Sequence, residues 1–254
     1  MLYLIRFFHK IATGDFMKNR LFLTFNLKSF LTLTLVFILT FSLVLSFNLA
    51  TRQVVSQTVG QKNVIIVDAG HGGEDGGTQS SAGVLEKHLN LEISLKLGTL
   101  LKLMGYRVVY TRTEDKLQYG DDAKAQRQKK VSDIHYRMNF MQVYPDAVFL
   151  SIHQNYYVSS KYYGAQVFYS TNNEHSKVIA ENIQRSIVEL IQPENTRQVK
   201  PSGTGVYLLY HATVPAVMVE CGFLSNSGEA LLLCDSEYQK KMCLAISAGL
   251  EKYI

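Results

Sequence analysis

Cysteine is scarce in this chain. Three stand among 254 residues, Cys221, Cys234 and Cys243. An odd count without CxxC spacing makes neither a disulfide framework nor a cysteine-type zinc site. All three read as small buried hydrophobes, with a Cys234–Cys243 bridge left open. Internal repeats and low-complexity tracts are missing too, which removes repeat arrays from the choices. A surplus of positive charge is missing where a nucleic-acid partner would need it. The net charge is +5, but residues 1–62 hold seven Lys/Arg and one acid. The remainder has 19 basic against 20 acidic residues, a balance of −1. Nucleic acid thus has no electrostatic footprint to bind.

Charge is absent altogether from residues 29–50, SFLTLTLVFILTFSLVLSFNLA. A bilayer-spanning helix needs about 20 apolar residues, whereas a secretory h-region has about 7–15. Cleavage after Ala50 would place Asn48 where a small residue is wanted, so an uncleaved anchor is favoured over a removed signal peptide. Arg6, Lys10, Lys18, Arg20 and Lys28 precede the run, against Asp15 alone. The positive-inside rule keeps that end cytoplasmic and exports the chain beyond residue 50. Met17 opens a shorter version that keeps three of those basic residues. The expected order is a basic leader (1–28), a transmembrane signal anchor (29–50), a linker (51–62) and a catalytic domain (63–254).

Past the linker, strand-like and helix-like segments alternate. Strands are expected at 64–68, 106–112, 147–152, 165–170, 206–209 and 216–220. Helices are expected at 87–104, 125–143, 174–191 and, as one continuous tail, 228–253. Such alternation predicts an α/β fold, a mostly parallel twisted sheet with helices on both faces.

DAGHGGEDGG (68–77) follows the first strand and has two readings. A glycine-rich turn cradles phosphate, or it lets backbone close around a metal-bound histidine. Glu74 and Asp75 would repel a phosphate, GK[ST] is absent, and the glycine spacing is not GxGxxG. The steric reading is the better one. Gly70, Gly72 and Gly73 permit unusual φ values and close approach.

Ligands in an open α/β sheet gather beyond the carboxyl ends of the strands. There the sequence places His71, His153 and Glu220, with Glu86 opening the first long helix. Each has a plain alternative. His71 and His153 are singly as consistent with backbone-bonded histidines, Glu86 with a helix-dipole carboxylate, and Glu220 with a strand-end acid. Together, two His and one Glu make a three-ligand zinc set with an open position for water. Glu220 would then take that water's proton. His88, His135, His175 and His211 lack this placement and read as surface or packing residues.

Four ordered motifs, VDAGHGGEDGG (67–77), GVLEKHLNLEIS (83–94), FLSIHQN (149–155) and PAVMVECGFLSN (215–226), resemble those of the zinc-dependent N-acetylmuramoyl-L-alanine amidases. The resemblance implies Zn2+ on His71, Glu86 and His153, with Glu220 matching the catalytic glutamate. The reaction implied is hydrolysis of the amide joining muramic acid to L-alanine in peptidoglycan. HQNYY departs from the usual HxNA, so Tyr156 and Tyr157 reshape the cleft. Cys221 replaces an aliphatic residue and should point away from the site.

Lacking wall-binding repeats, the chain is most similar to the sporulation branch of the family in spore-forming Firmicutes. That likeness implies a role in cortex maturation and muramic-δ-lactam formation. The expected partners are a peptidoglycan glycan strand with its stem peptide, reached in an open groove, and the membrane through the anchor. A separate deacetylase is a further expected partner, and an accessory activator is left open. Two rivals remain: a zinc peptidase or carboxypeptidase on the stem peptide, and a non-catalytic peptidoglycan-binding module.

Overall fold

The computed structural model describes residues 27–58, 62–121 and 123–253. The chain divides into two units, Met1–Thr58 and Val59–Ile254. In the first, helix α1 (Leu27–Thr58) contains the whole uncharged run. Its large apolar side chains from Phe30 to Leu45 are at least 50% exposed. Among the described residues no helix is long and apolar enough to cross a membrane.

The second unit runs β1 (Lys62–Ala69), α2 (Glu86–Leu103), β2 (Tyr106–Tyr110), α3 (Gln126–Val143), β3 (Val148–Asn155) and β4 (Gln166–Tyr169). It continues with α4 (Glu174–Leu190), β5 (Lys200–Pro201), α5 (Tyr207–Tyr210), β6 (Ala216–Phe223), α6 (Ser227–Cys234) and α7 (Ser236–Glu251). One sheet has the order β2-β1-β3-β6-β4-β5. Every pairing is parallel except β4 with β6, as the alternating pattern predicts.

Strand alternation sorts the core into two layers. Ile65, Val67, Leu150, Ile152, Val219 and Cys221 face the apolar stripes of α2, α4 and α7. Ile66, Phe149, Ala216 and Met218 face Met138 and Met141 of α3 and Leu209 of α5. Cys221 therefore points away from Glu220, its neighbour on the strand. Cys221 and Cys243 are buried free thiols, while Cys234 is free and exposed.

Three elements differ from expectation, the first being the two-residue edge strand β5, which no expected segment covers. VYLL is not a strand. Tyr210 and His211 donate to the carbonyls four residues back, Val206 and Tyr207, and Leu209 alone is buried. A short apolar run does not distinguish strand from helical turn by periodicity. The tail is two helices, because Asp235 stops α6 and its Oδ1 accepts from Tyr238 N (2.8 Å) as the N-cap of α7.

Strand order reverses around β1: β2 lies on one side, while β3 and β6 lie on the other. Such a switch point opens a crevice beyond the strand ends. Register places His153 beside Glu220 and Ala69 beside Ile152 at that edge.

Candidate metal centre

The first turn of α2 sets Glu86 at the crevice. Its carboxylate is nearly fully buried and is gripped by fixed donors. Oε2 accepts from Thr78 N (2.8 Å) and Thr78 Oγ1 (3.2 Å). Oε1 accepts from Gln154 N (3.1 Å) and Asn90 Nδ2 (3.2 Å). His71 Nε2 lies 3.3 Å from Oε2 and His153 Nδ1 lies 3.0 Å from Oε1. The three side chains each present a ligand atom within 4.8 Å of the others. Ligand atoms on a zinc with bonds of about 2.0–2.2 Å sit roughly 3.3 Å apart in a tetrahedron. The set fits such an ion in chemistry and in spacing.

Glycine makes the approach feasible. A side chain on Gly70 would occupy the His153 ring, and one on Gly77 (φ +69°) would meet both Glu86 and His71. The close-approach reading of the loop holds at Gly70 and extends to Gly77. His71 itself has φ 61°, the left-handed region that a non-glycine residue seldom enters. Its carbonyl accepts from Arg137 Nη2 (2.8 Å) and its Nδ1 pairs with Asp75 Oδ2 (2.8 Å). Asp75 in turn lies 3.0 Å from Lys130. An imidazole bonded through Nδ1 presents Nε2 to the centre, the arrangement common to metal-ligating histidines.

Electrostatics follow from these pairs. Burial disfavours charge on His71, but hydrogen bonds to Asp75 and Glu86 outweigh it and raise its pKa to about 9. Burial likewise opposes the Glu86 charge, yet the two histidines hold its carboxyl well below the usual range. Glu220 is different. Its Oε2 is buried and has no hydrogen-bond partner among the described residues. Burial, with a smaller push from Glu86, outweighs the attraction of the histidines and lifts its pKa to about 7. A carboxylate poised there suits proton transfer near neutrality.

Glu220, His71 and His153 line a cleft of about 310 Å³ together with Ile134, Val206 and Tyr207. Under it lies a support that the sequence does not disclose. Arg137 donates to Asp68 Oδ1 (2.7 Å), Asp133 Oδ2 (2.7 Å) and Ala69 O (2.6 Å). Arg112 donates to Ala69 O (2.8 Å) and Gly70 O (3.0 Å). All four expected site residues therefore converge. Sequence reasoning misses the partners that hold them: Asp75, Thr78, Asn90, Gln154, Arg112 and Arg137. Asp75, four residues after His71, and Asn90, four residues after Glu86 on α2, leave local traces.

The family described as N-acetylmuramoyl-L-alanine amidase matches residues 65–252. The germination-specific N-acetylmuramoyl-L-alanine amidase of Bacillus subtilis (strain 168) is 32% identical over 194 residues, 75% of this chain and 79% of that one. Among solved structures, the CwlD amidase from Clostridioides difficile, in complex with the GerS lipoprotein, is similar at a TM-score of 0.73 and 40% identity. That match covers 76% of this chain and 98% of the other. The N-acetylmuramoyl-L-alanine amidase AmiC2 of Nostoc punctiforme is similar at a TM-score of 0.64 and 26% identity, over 76% and 98%.

The buried Asp68–Arg137 pair generates a stability prediction. Burial works against the Asp68 charge, but Arg137, with hydrogen bonds from Ser151 and Thr111, holds its carboxyl below the usual range. A depressed folded-state pKa gives stability that is present above the unfolded pKa of about 3.9 and lost as pH falls through the folded value. Asp68→Asn leaves Arg137 with Asp133 as its remaining buried carboxylate partner and should cost about 1.5–3 kcal/mol at pH 7. Urea unfolding checks this, and the gap to wild type should narrow below about pH 4. A gap that stays constant with pH contradicts it.

Proposed function

From a chain that belongs to the N-acetylmuramoyl-L-alanine amidase family, and that is itself a hydrolase of that amide, we propose a zinc-dependent mechanism run by four residues. His71, Glu86 and His153 would hold the ion, and Glu220 would move the proton. The observation that carries this is the unpartnered, buried Oε2 of Glu220 beside a converged His-Glu-His set. When bound, zinc supplies Lewis acidity toward water and the scissile carbonyl. Glu220 accepts the proton of the attacking water and returns it to the departing L-alanine nitrogen. Asp75 orients the His71 ring, and Thr78, Gln154 and Asn90 keep the Glu86 carboxylate from turning.

Glu220→Gln keeps size while removing the proton acceptor. It should retain zinc and lose on the order of 10²–10⁴ in rate, read by mass spectrometry of muropeptides from purified wall. The wild-type product is glycan with a free lactyl group. Shortened stem peptides instead would move the activity to a peptidase, and loss of zinc from Glu220→Gln would make that residue a ligand.

The proposed setting is the spore cortex. Support comes from the similarity to an amidase described as germination-specific and from the likeness to a CwlD amidase. In that role, peptide removal from muramic acid precedes muramic-δ-lactam formation by a separate deacetylase. The latter relative is seen with a lipoprotein partner, which supports an accessory protein for this chain as well. Deleting the gene in a spore former should leave cortex without δ-lactam. Normal δ-lactam with failed daughter-cell separation would place the protein in vegetative wall turnover.

The domain reading is likewise a proposal: leader 1–28, anchor 29–50, linker 51–62 and catalytic domain 63–254. Its support is the uncharged run lying inside α1, whose described large apolar side chains are exposed. That much exposed apolar surface is costly in water. Protease added to intact protoplasts should digest the C-terminal domain. Protection of that domain, with none released to the medium, contradicts the orientation.

A further inference from the structure

The loop after β3 carries Tyr156, Tyr157, Tyr162 and Tyr163, all at least 39% exposed. Tyr162 links the loop to the strand bearing Glu220. Its ring lies 4.9 Å from Tyr157 and 6.4 Å from Phe223, and the Arg197 guanidinium lies over Phe223 at 4.4 Å. Tyr156 and Tyr157 are 48% and 52% exposed. Their loop is nonetheless pinned. Tyr157 N donates to Ser225 Oγ (3.2 Å), Asn226 Nδ2 to Ser160 O (2.9 Å), and Arg197 Nε to Tyr163 O (2.7 Å). A fixed backbone that holds large amphipathic rings outward is a preformed contact surface. An aromatic patch exposed on a rigid loop needs an occupant.

Its position indicates which one. Tyr156 is three residues beyond His153, so it stands within about 10 Å of the metal set along an extended chain. The same loop is tied to Ser225 and Asn226, which follow the strand bearing Glu220. The loop therefore follows the strand bearing His153 and is fastened to the turn that follows the strand bearing Glu220. The cleft beside the metal set, about 310 Å³, is at the lower limit of small-molecule pockets. It accommodates a few atoms around the scissile amide and leaves a polymeric glycan outside. Pyranose rings present apolar C–H faces ringed by hydroxyls, the surface that tyrosine rings and their phenol groups complement.

Resting on the amidase activity and on the proposed metal site, we propose that Tyr156 and Tyr157 form a subsite for the glycan strand, stacking on a sugar next to the muramic acid being cleaved. The test compares two substrates with the full-length chain: soluble glycan strands bearing stem peptides, and a single-sugar muramoyl peptide. A Tyr156→Ala/Tyr157→Ala variant, checked for unchanged melting temperature, should lose roughly tenfold in kcat/KM on the strands, mostly through KM. That is the size of one or two aromatic contacts. It should match wild type on the single-sugar peptide. Tyr156→Phe/Tyr157→Phe, which keeps the rings, should restore most of the loss. Equal losses on both substrates would make the tyrosines supports of the metal site and overturn the subsite. Unchanged kinetics on strands would also overturn it and leave the patch to a protein partner. If wild type cleaves neither substrate at the lactyl–alanine bond, the amidase reading falls, and this proposal falls with it.

Discussion

A buried carboxylate with no room to turn underlies the rest of the site. Glu86 is placed in a nearly dry position where an unpaired charge would be severely penalised. Two backbone amides, a threonine hydroxyl and an asparagine amide hold its two oxygens in place. They leave the direction between His71 and His153 as the place where positive charge is needed. The glycines at 70 and 77 exist around that point because a methyl group there would collide with the ligand side chains. The left-handed backbone of His71 has the same origin: only that turn delivers its Nε2 to the carboxylate.

Holding His71 in a strained conformation requires support from outside the loop. Arg137 and Arg112 supply it by donating to the carbonyls of Ala69, Gly70 and His71. Charge pairs from the start of α3 complete the clamp, with Lys129 on Glu74 and Lys130 on Asp75. Stability and activity are therefore coupled here. The ion pair under the sheet edge is both a folding contact and the base on which the loop rests. Buried pairs of this kind contribute little over an apolar packing, but breaking one is costly. Their value here is the conformation they fix.

Much of this is legible in the sequence because it follows from periodicity and topology. Apolar runs such as AVFLSI mark strands buried on both faces, and parallel strands deliver the residues after them to one edge. His71, His153 and Glu220 can be placed together on those grounds alone. VYLL misleads because four apolar residues carry no usable period. The tail misleads because the apolar pattern runs on through Asp235, and only its capping role breaks the helix. The residues that orient the ligands are hidden for a different reason. Thr78, Gln154 and Arg137 meet the site only through the folded chain, some across more than 60 positions, and no local pattern encodes those.

The central claim is that this chain folds into a preformed site for one divalent ion. Anomalous scattering at the zinc absorption edge, from crystals of protein supplied with zinc, tests it most directly. The account predicts a single peak bounded by His71 Nε2, His153 Nδ1 and the Glu86 carboxylate, with Glu220 beside it and outside bonding distance. A peak elsewhere, or one from which any of those three side chains is turned away, would contradict it.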